Sequence, residues 1–256
     1  EDLSIEGSMY SVMCLKEALL HLTHVTRLEL RSMNLVNTFW LTKLTSLLCL
    51  ELRDCGLHNT DPLGVAVAPL TKLTRMLLQS DAYYWNGRSD CMVPETLVNL
   101  QSLHIRTMQF GHLPYLQHVG VSITRLVDLS LANSNFDSDA IIEILTRLPL
   151  LTSLDIRGMP NFTSTIANCI CKLSTLQCLR MDAHKAYKAF SGHKLENIRK
   201  LVLNLDYADS EEENDDYDDV IYDELSCRTS WRYANFTEIF PNALIVHHSL
   251  TNSYRS

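Results

Sequence analysis

The residues able to do chemistry in this 256-residue chain are ten His, eight Cys, 30 Asp and Glu, and 22 Lys and Arg. Their spacing decides what they can do. The cysteines are Cys14, Cys49, Cys55, Cys91, Cys169, Cys171, Cys178 and Cys227. None forms a CxxC pair, and the close pair Cys169-x-Cys171 has no His or Cys cluster beside it, so the spacing of a metal site is absent. His21-x-x-His24 and His247-His248 come without the carboxylates or thiolates that would complete a coordination sphere. The sequence contains no GxSxG elbow, P-loop, HExxH or GxGxxG. Its paired carboxylates worth weighing lie in one run, Asp206 to Glu224 (DYADSEEENDDYDDVIYDE), where no fixed geometry tunes a pKa. The expectation is therefore no catalysis, no cofactor and no metal.

That acidic run holds 11 of the 30 acids and no Lys or Arg. Without it the chain carries 22 basic against 19 acidic residues, a net of +3 instead of −8. The body is mildly basic and the acidic segment reads as a disordered loop, because it self-repels and has little apolar surface to bury. A second reading folds this segment over a basic face of its own domain. Ser210, followed by three Glu, resembles an acid-directed kinase site.

The acidic balance disfavours nucleic acid as a partner. No apolar run approaches the ~18 residues of a membrane span, and the first residues show no signal peptide. The absent initiator Met suggests an excised domain or a processed form. Several Cys occupy positions where a small buried residue is wanted, which points to reduced thiols and an intracellular (cytoplasmic or nuclear) location. The sequons Asn161-Phe162-Thr163 and Asn235-Phe236-Thr237 point the other way.

The elements that position these side chains come from a repeat. Leucine supplies 43 residues, and one frame, LxxLxxLxL, recurs along the chain. Its strand part reads Val25-Leu28-Leu30, Leu47-Leu50-Leu52, Leu73-Met76-Leu78, Leu100-Leu103-Ile105, Leu126-Leu129-Leu131, Leu151-Leu154-Ile156, Leu176-Leu179-Met181 and Ile198-Leu201-Leu203. An apolar residue lies three positions upstream of each copy, from Leu22 to Leu195, and successive copies are spaced by 22 to 27 residues. Chance leucine richness does not hold frame and period over eight copies.

The pattern resembles the leucine-rich-repeat family. The resemblance implies an α/β solenoid, or horseshoe, with a concave parallel sheet and mixed helical and extended returns on the convex side. The family prefers Asn or Cys three residues past the second strand leucine. Here that position holds Met33, Cys55, Asp81, Met108, Ser134, Met159, His184 and Asp206, so only Cys55 matches and the asparagine ladder is missing. After Phe136, a helix is expected that starts on Asp137 and buries Ile141, Ile144, Leu145 and Leu148. The division is an N-terminal cap over 1–21, eight repeats over 22–205, the acidic loop 206–224, and a C-terminal capping repeat and tail over 225–256. Phe236 to Val246 is expected to return to the sheet as a further strand.

Alternation along each strand sends the residues between the core leucines out of the concave face. The row after the second leucine reads Arg31, Arg53, Gln79, Arg106, Ala132, Arg157, Asp182 and Asn204; the row between the leucines includes Glu29, Glu51, His104 and Arg180. The first four repeats set Arg27, Arg31, Arg53, Arg75 and Arg106 against Glu29 and Glu51. Two readings stand. Cross-strand ion pairs neutralise the face, or surplus guanidiniums take an acidic or phosphorylated peptide. Tyr84 and Trp85, in the turn after the third strand, are candidate aromatic anchors.

A concave-face binder of a protein or peptide is the resulting expectation. Long repeats with helical returns resemble F-box-associated and ribonuclease-inhibitor-like proteins. That implies substrate recognition in a ubiquitin-ligase receptor, with the ligase adaptor contacted through a region outside this chain. The strings LELRDC (50–55) and LDIRG (154–158) resemble the sensor repeats of plant-type immune receptors, the alternative.

Overall fold

A computed structural model describes residues 1–7, 21–35, 38–57, 63–80, 93–107, 123–190, 192–204 and 236–248. The acidic run, Ser210, Tyr84, Trp85 and Asn235 lie outside them. The LxL cores become strands β1 (Asp2–Glu6), β2 (Arg27–Arg31), β4 (Cys49–Arg53), β6 (Arg75–Ser80), β7 (Ser102–Thr107), β8 (Asp128–Ser130), β9 (Ser153–Asp155), β10 (Cys178–Asp182), β11 (Lys200–Asn204) and β12 (Leu244–His248). They form one ten-stranded sheet in that order, with every neighbouring pair parallel. Two short strands, β3 (Asn34–Leu35) and β5 (Gly56–Leu57), pair separately. Parallel neighbours need a crossover between them, and here each crossover is one repeat. The architecture is the leucine-rich-repeat solenoid that the sequence frame implied.

The register is constant: Leu28, Leu50, Met76, Leu103, Leu129, Leu154, Leu179 and Leu201 face one another in succession. All are at most 1% exposed. Upstream of each strand, the apolar pair three residues apart closes a turn. Eight such i+3 bonds, from Val25 N–H to Leu22 O through Ile198 N–H to Leu195 O, span 2.9–3.4 Å. Just before the strands, one carbonyl per repeat accepts two N–H groups from the next: Thr26 O takes Leu48 and Cys49, Leu48 O takes Thr74 and Arg75, and Thr74 O takes Gln101 and Ser102. Turn and strand thus share one hydrogen-bond ladder, which pairs these backbone groups.

The sheet begins earlier than the eight-copy frame. Leu3 and Ile5 sit opposite Leu28 and Leu30, and Glu1 O accepts Thr26 and Arg27 N–H as Thr26 O does one repeat later. Leu3 lies one 25-residue period before Leu28.

Past each strand the chain must reverse sharply. Ser32, Asp54, Asn133 and Gly158, all two residues after the second inward side chain, take φ of 53°, 51°, 55° and 65°. Ser32, Asp54 and Asn133 donate their N–H to Arg53, Gln79 and Arg157 carbonyls. One residue on, Cys55 donates its thiol to Leu30 O at 3.4 Å, and Ser134 donates its hydroxyl to Ile105 O at 3.0 Å. Ser134 therefore fills a ladder position that was expected to be empty. Met33 and Met159 fill theirs with buried apolar bulk.

The returns change character along the chain. The early ones use β3, β5, a 3-10 turn over Phe39–Lys43 and the short α1 (Leu63–Val67). The later ones are helices: α2 (Ser138–Thr146), α3 (Ser164–Cys171) and α4 (Ala183–Phe190). In α2 the buried set is Ala140, Ile141, Ile144 and Leu145, with Leu148 buried just beyond. Asp137 is its N-cap residue, with extended backbone and no side-chain cap bond. Thr163 does cap α3, accepting from Ile166 N–H. The Asn161-Phe162-Thr163 sequon is therefore a helix start, and Asn161 donates to Asn135 Oδ1 at 2.8 Å. At the far end Phe190, Phe236 and Phe240 are at most 2% exposed; Phe190 and Phe240 meet edge-on with centroids 5.8 Å apart. The chain that resumes at Phe236 closes the last core layer, and Leu244–His248 pairs with Lys200–Asn204.

Candidate recognition face

Because the core side chains occupy alternate positions, the others stand on the open face of the sheet, the face expected to be concave. Three polar clusters line it.

The first is built on two carboxylates. Glu51 has a side chain only 1% exposed, and Arg27 and Arg53 donate to it at 2.9 and 2.8 Å. Glu29 accepts from Arg31 at 2.7 Å. The Nε of Arg53 also lies 2.9 Å from Glu29, off the axis of a hydrogen bond. Burial pushes the Glu51 carboxyl up, but the Arg53 hydrogen bond and the charges of Arg53, Arg27 and Arg75 outweigh it and hold it below its ordinary value. Burial, then Glu51, pushes the neighbouring Cys49 thiol up. Arg75 stands at 3.9 Å from Glu51. Strand β1 adds Asp2 opposite Arg27 and Glu6 opposite Arg31. The excess of arginine over acid in the first repeats is therefore smaller than the eight-copy frame implied. Four acids now face Arg27, Arg31, Arg53, Arg75 and Arg106.

The second cluster is Ser102, His104 and Asp128. His104 Nε2 is 2.6 Å from Asp128 Oδ2, and Ser102 Oγ lies 3.1 Å from the same oxygen and 3.3 Å from the same ring nitrogen. A nucleophilic Ser–His–Asp relay needs the acid on one ring nitrogen and the hydroxyl on the other. Here both crowd Nε2, and the short contact to Asp128 assigns the proton to that nitrogen, so it has no lone pair with which to activate Ser102. Burial raises the Asp128 pKa, but the hydrogen bonds from His104, Ser153 and Ser102 and the His104 charge bring it down to about 2. The constellation is a polar clasp, not a catalytic one.

The third cluster is Asp155, Arg157, Arg180, Asp182 and Lys185. Arg157 grips Asp155 with two bonds of 2.9 and 2.7 Å. Asp182, fully buried, accepts Gly158 N–H at 3.0 Å, Lys185 at 3.2 Å and Asn204 at 3.4 Å. Arg180 donates to Ser153 Oγ at 3.3 Å. The sequence places Asp182 on this face by its strand position, as alternation also places Asp128, but reveals neither as an anchor. Their signal was position alone, since nothing in the types foretold which partners would reach them.

Arg27, Arg31, Arg53, Arg75, His104, Arg106, Arg157 and Arg180 thus share one face, while Tyr84 and Trp85 lie outside the described residues. Among the described residues no group of three or more His, Cys, Asp or Glu is placed to hold a metal ion, and no helix is long and apolar enough to cross a membrane.

No protein-family model matches the chain, and no curated protein matches it. Solved structures do resemble it. Internalin C2 from Listeria monocytogenes is 19% identical over 73% of this chain and 74% of its own, with a TM-score of 0.46. Mouse RP105 in complex with MD-1 is 14% identical over 73% of this chain and 36% of its own, with a TM-score of 0.40. A second Listeria internalin, InlF, is 16% identical over 72% of this chain and 64% of its own, with a TM-score of 0.29.

Proposed function

We propose that this leucine-rich-repeat solenoid is a non-catalytic recognition module that binds a protein or peptide partner across the open face of its sheet. The observation that carries the reading is the unequal commitment of the arginines on one continuous ten-stranded face. Arg27, Arg31, Arg53 and Arg157 are held by carboxylates within 3 Å. Arg75, Arg106 and Arg180 have no ion pair within 3.5 Å among the described residues, so their guanidiniums are the ones left to meet an acidic or phosphorylated ligand. Residues 22–205 are the recognition body in this reading. Segments 1–21 and 225–256 cap it, and 206–224 is an acidic loop beside it. Tyr84 and Trp85 stay as proposed anchors, and nucleic acid and membrane are not proposed partners.

The biological setting is the substrate-binding part of an F-box-type ubiquitin-ligase receptor, in the cytoplasm or nucleus, with the adaptor contacted through a region beyond this chain. The helical returns of the later repeats support that setting. Among the described residues, Cys49, Cys169, Cys171 and Cys178 as free thiols support a reducing compartment. The alternative, the sensor domain of a plant-type nucleotide-binding immune receptor, is supported by the extended early returns.

The test is affinity capture from cell extract at about 50 and 300 mM salt, comparing wild type with a variant carrying Arg75→Gln, Arg106→Gln and Arg180→Gln. A partner held by wild type at low salt and lost in the variant supports the reading. Partners captured equally by both would defeat it, and the identity of a specific partner separates ligase adaptor from immune signalling.

A further inference from the structure

We propose that the centre of this face carries a subsite for a single carboxylate, formed by Arg106 with Gln79 beside it, that takes an Asp or Glu side chain of an extended partner segment. The proposal rests on the recognition reading above and names the chemistry of one spot within it.

Arg106 is half-buried on β7, and its Nε is enclosed yet has no hydrogen-bond partner. An enclosed guanidinium donor without an acceptor loses the water it would otherwise hold, which is a cost the fold does not recover by itself. Every other arginine on the face, Arg75 apart, reaches an oxygen of this chain within 3.3 Å. In register with Arg106 is Gln79, another half-buried donor with no side-chain partner among the described residues. On the other side the repeat frame places Ala132, which is too small to compete for the guanidinium. Two residues back along the strands, Leu77 is 8% exposed and His104 is tied to Asp128. The spot is a fork of donors standing above an apolar floor.

Its charge selects the ligand. Among the described residues Arg106 is the one cation of the spot. Arg53 is committed to Glu29 and Glu51, and Arg75 and Asp128 both lie in the register row of Ser102, four residues back from Arg106. A carboxylate matches one guanidinium in charge and in the spacing of its two oxygens. A phosphate dianion would bring a second negative charge with no second cation to meet it among the described residues.

The experiment follows the arginine Nε–H resonances of the 15N-labelled full chain during titration with sodium acetate, then with inorganic phosphate at matched ionic strength. The Arg106 resonance is identified by its loss in Arg106→Gln. Saturable movement of that resonance at an acetate concentration about five-fold below that needed by any other arginine supports the subsite. Arg106→Lys, which keeps the charge and removes the fork, should weaken acetate binding by about five-fold, read in both proteins from the Gln79 side-chain amide resonances, and serves as the control for folding. Arginine signals moving together without saturation would overturn the subsite, as would phosphate saturating below acetate. An acetate response combined with partner capture unchanged in Arg106→Gln would overturn its assignment to the partner and leave the broader reading standing. A partner lost in Arg75→Gln and Arg180→Gln, with no acetate response at Arg106, would overturn the subsite alone.

Discussion

At the scale of single residues, the face is organised by where carboxylates are buried rather than by how many arginines it shows. Glu51 is nearly inaccessible and depends on Arg53 and Arg27 for its charge to be tolerated. Removing one partner of a buried pair leaves an uncompensated charge. Arg53→Ala should therefore lower the unfolding free energy by about 2–4 kcal/mol, while Arg75→Ala, 3.9 Å from the same carboxylate, should change it by less than about 1 kcal/mol. Urea titrations of the two variants check this ordering. Asp128 gives a pH prediction. Its pKa falls from 3.8 to about 2 in the folded protein, so its contribution is complete above about pH 4 and is lost as the pH falls towards 2. Asp128→Asn should be less stable than wild type at neutral pH and should lose less further stability between pH ~4 and ~2. Urea midpoints measured across that range test it; parallel pH dependence in both proteins would refute the assignment.

At the scale of elements, strands and turns were legible because burial writes them with period two and the turn leucines lie at a fixed offset. The ladder position was misread at Ser134, since a serine has the hydroxyl that the task needs but is not the residue usually sought there. Strand β1 was missed because Leu3-Ser4-Ile5 is too short to announce itself by alternation alone. The polar clusters were legible as positions and not as partnerships: the distances that make Asp128 and Asp182 anchors depend on register between strands 22–27 residues apart. The left-handed turns carry a prediction of their own. A Cβ at Gly158 would collide with Asn133 Oδ1, and φ there is +65°. Gly158→Ala should cost about 2–4 kcal/mol, and adding Asn133→Gly, which removes the obstructing amide and suits φ of 55°, should recover part of that. A thermal melt of the double variant no better than Gly158→Ala alone would argue against the collision.

For the whole molecule, a solenoid whose repeats touch only their neighbours is held at its ends by whatever closes the last layer. Phe190, Phe236 and Phe240 do this at the C-terminal end, and Leu195 N–H bonds Ile239 O at 2.7 Å to tie the closing segment to the last full repeat. Phe240→Ala should cost about 3–5 kcal/mol, and the loss should be local. Hydrogen exchange should quicken in Lys200–Asn204 and Leu244–His248 well before it changes in β2 and β4. Uniform acceleration along the chain would instead mean that the sheet opens as one unit.

The constant register has a consequence for how such a chain can diverge. Each five-residue strand interleaves two sets of letters: one read by folding and the other, in the proposed function, by the partner. Substitutions in the second set can accumulate strand by strand, so that one lineage could acquire a new binding specificity while its scaffold stays intact. Glu51 and Asp182 break that independence, because they stand on the open face of the sheet yet are as inaccessible as the leucines. They mark places where a change of specificity would have to be matched by a compensating change elsewhere in the same protein.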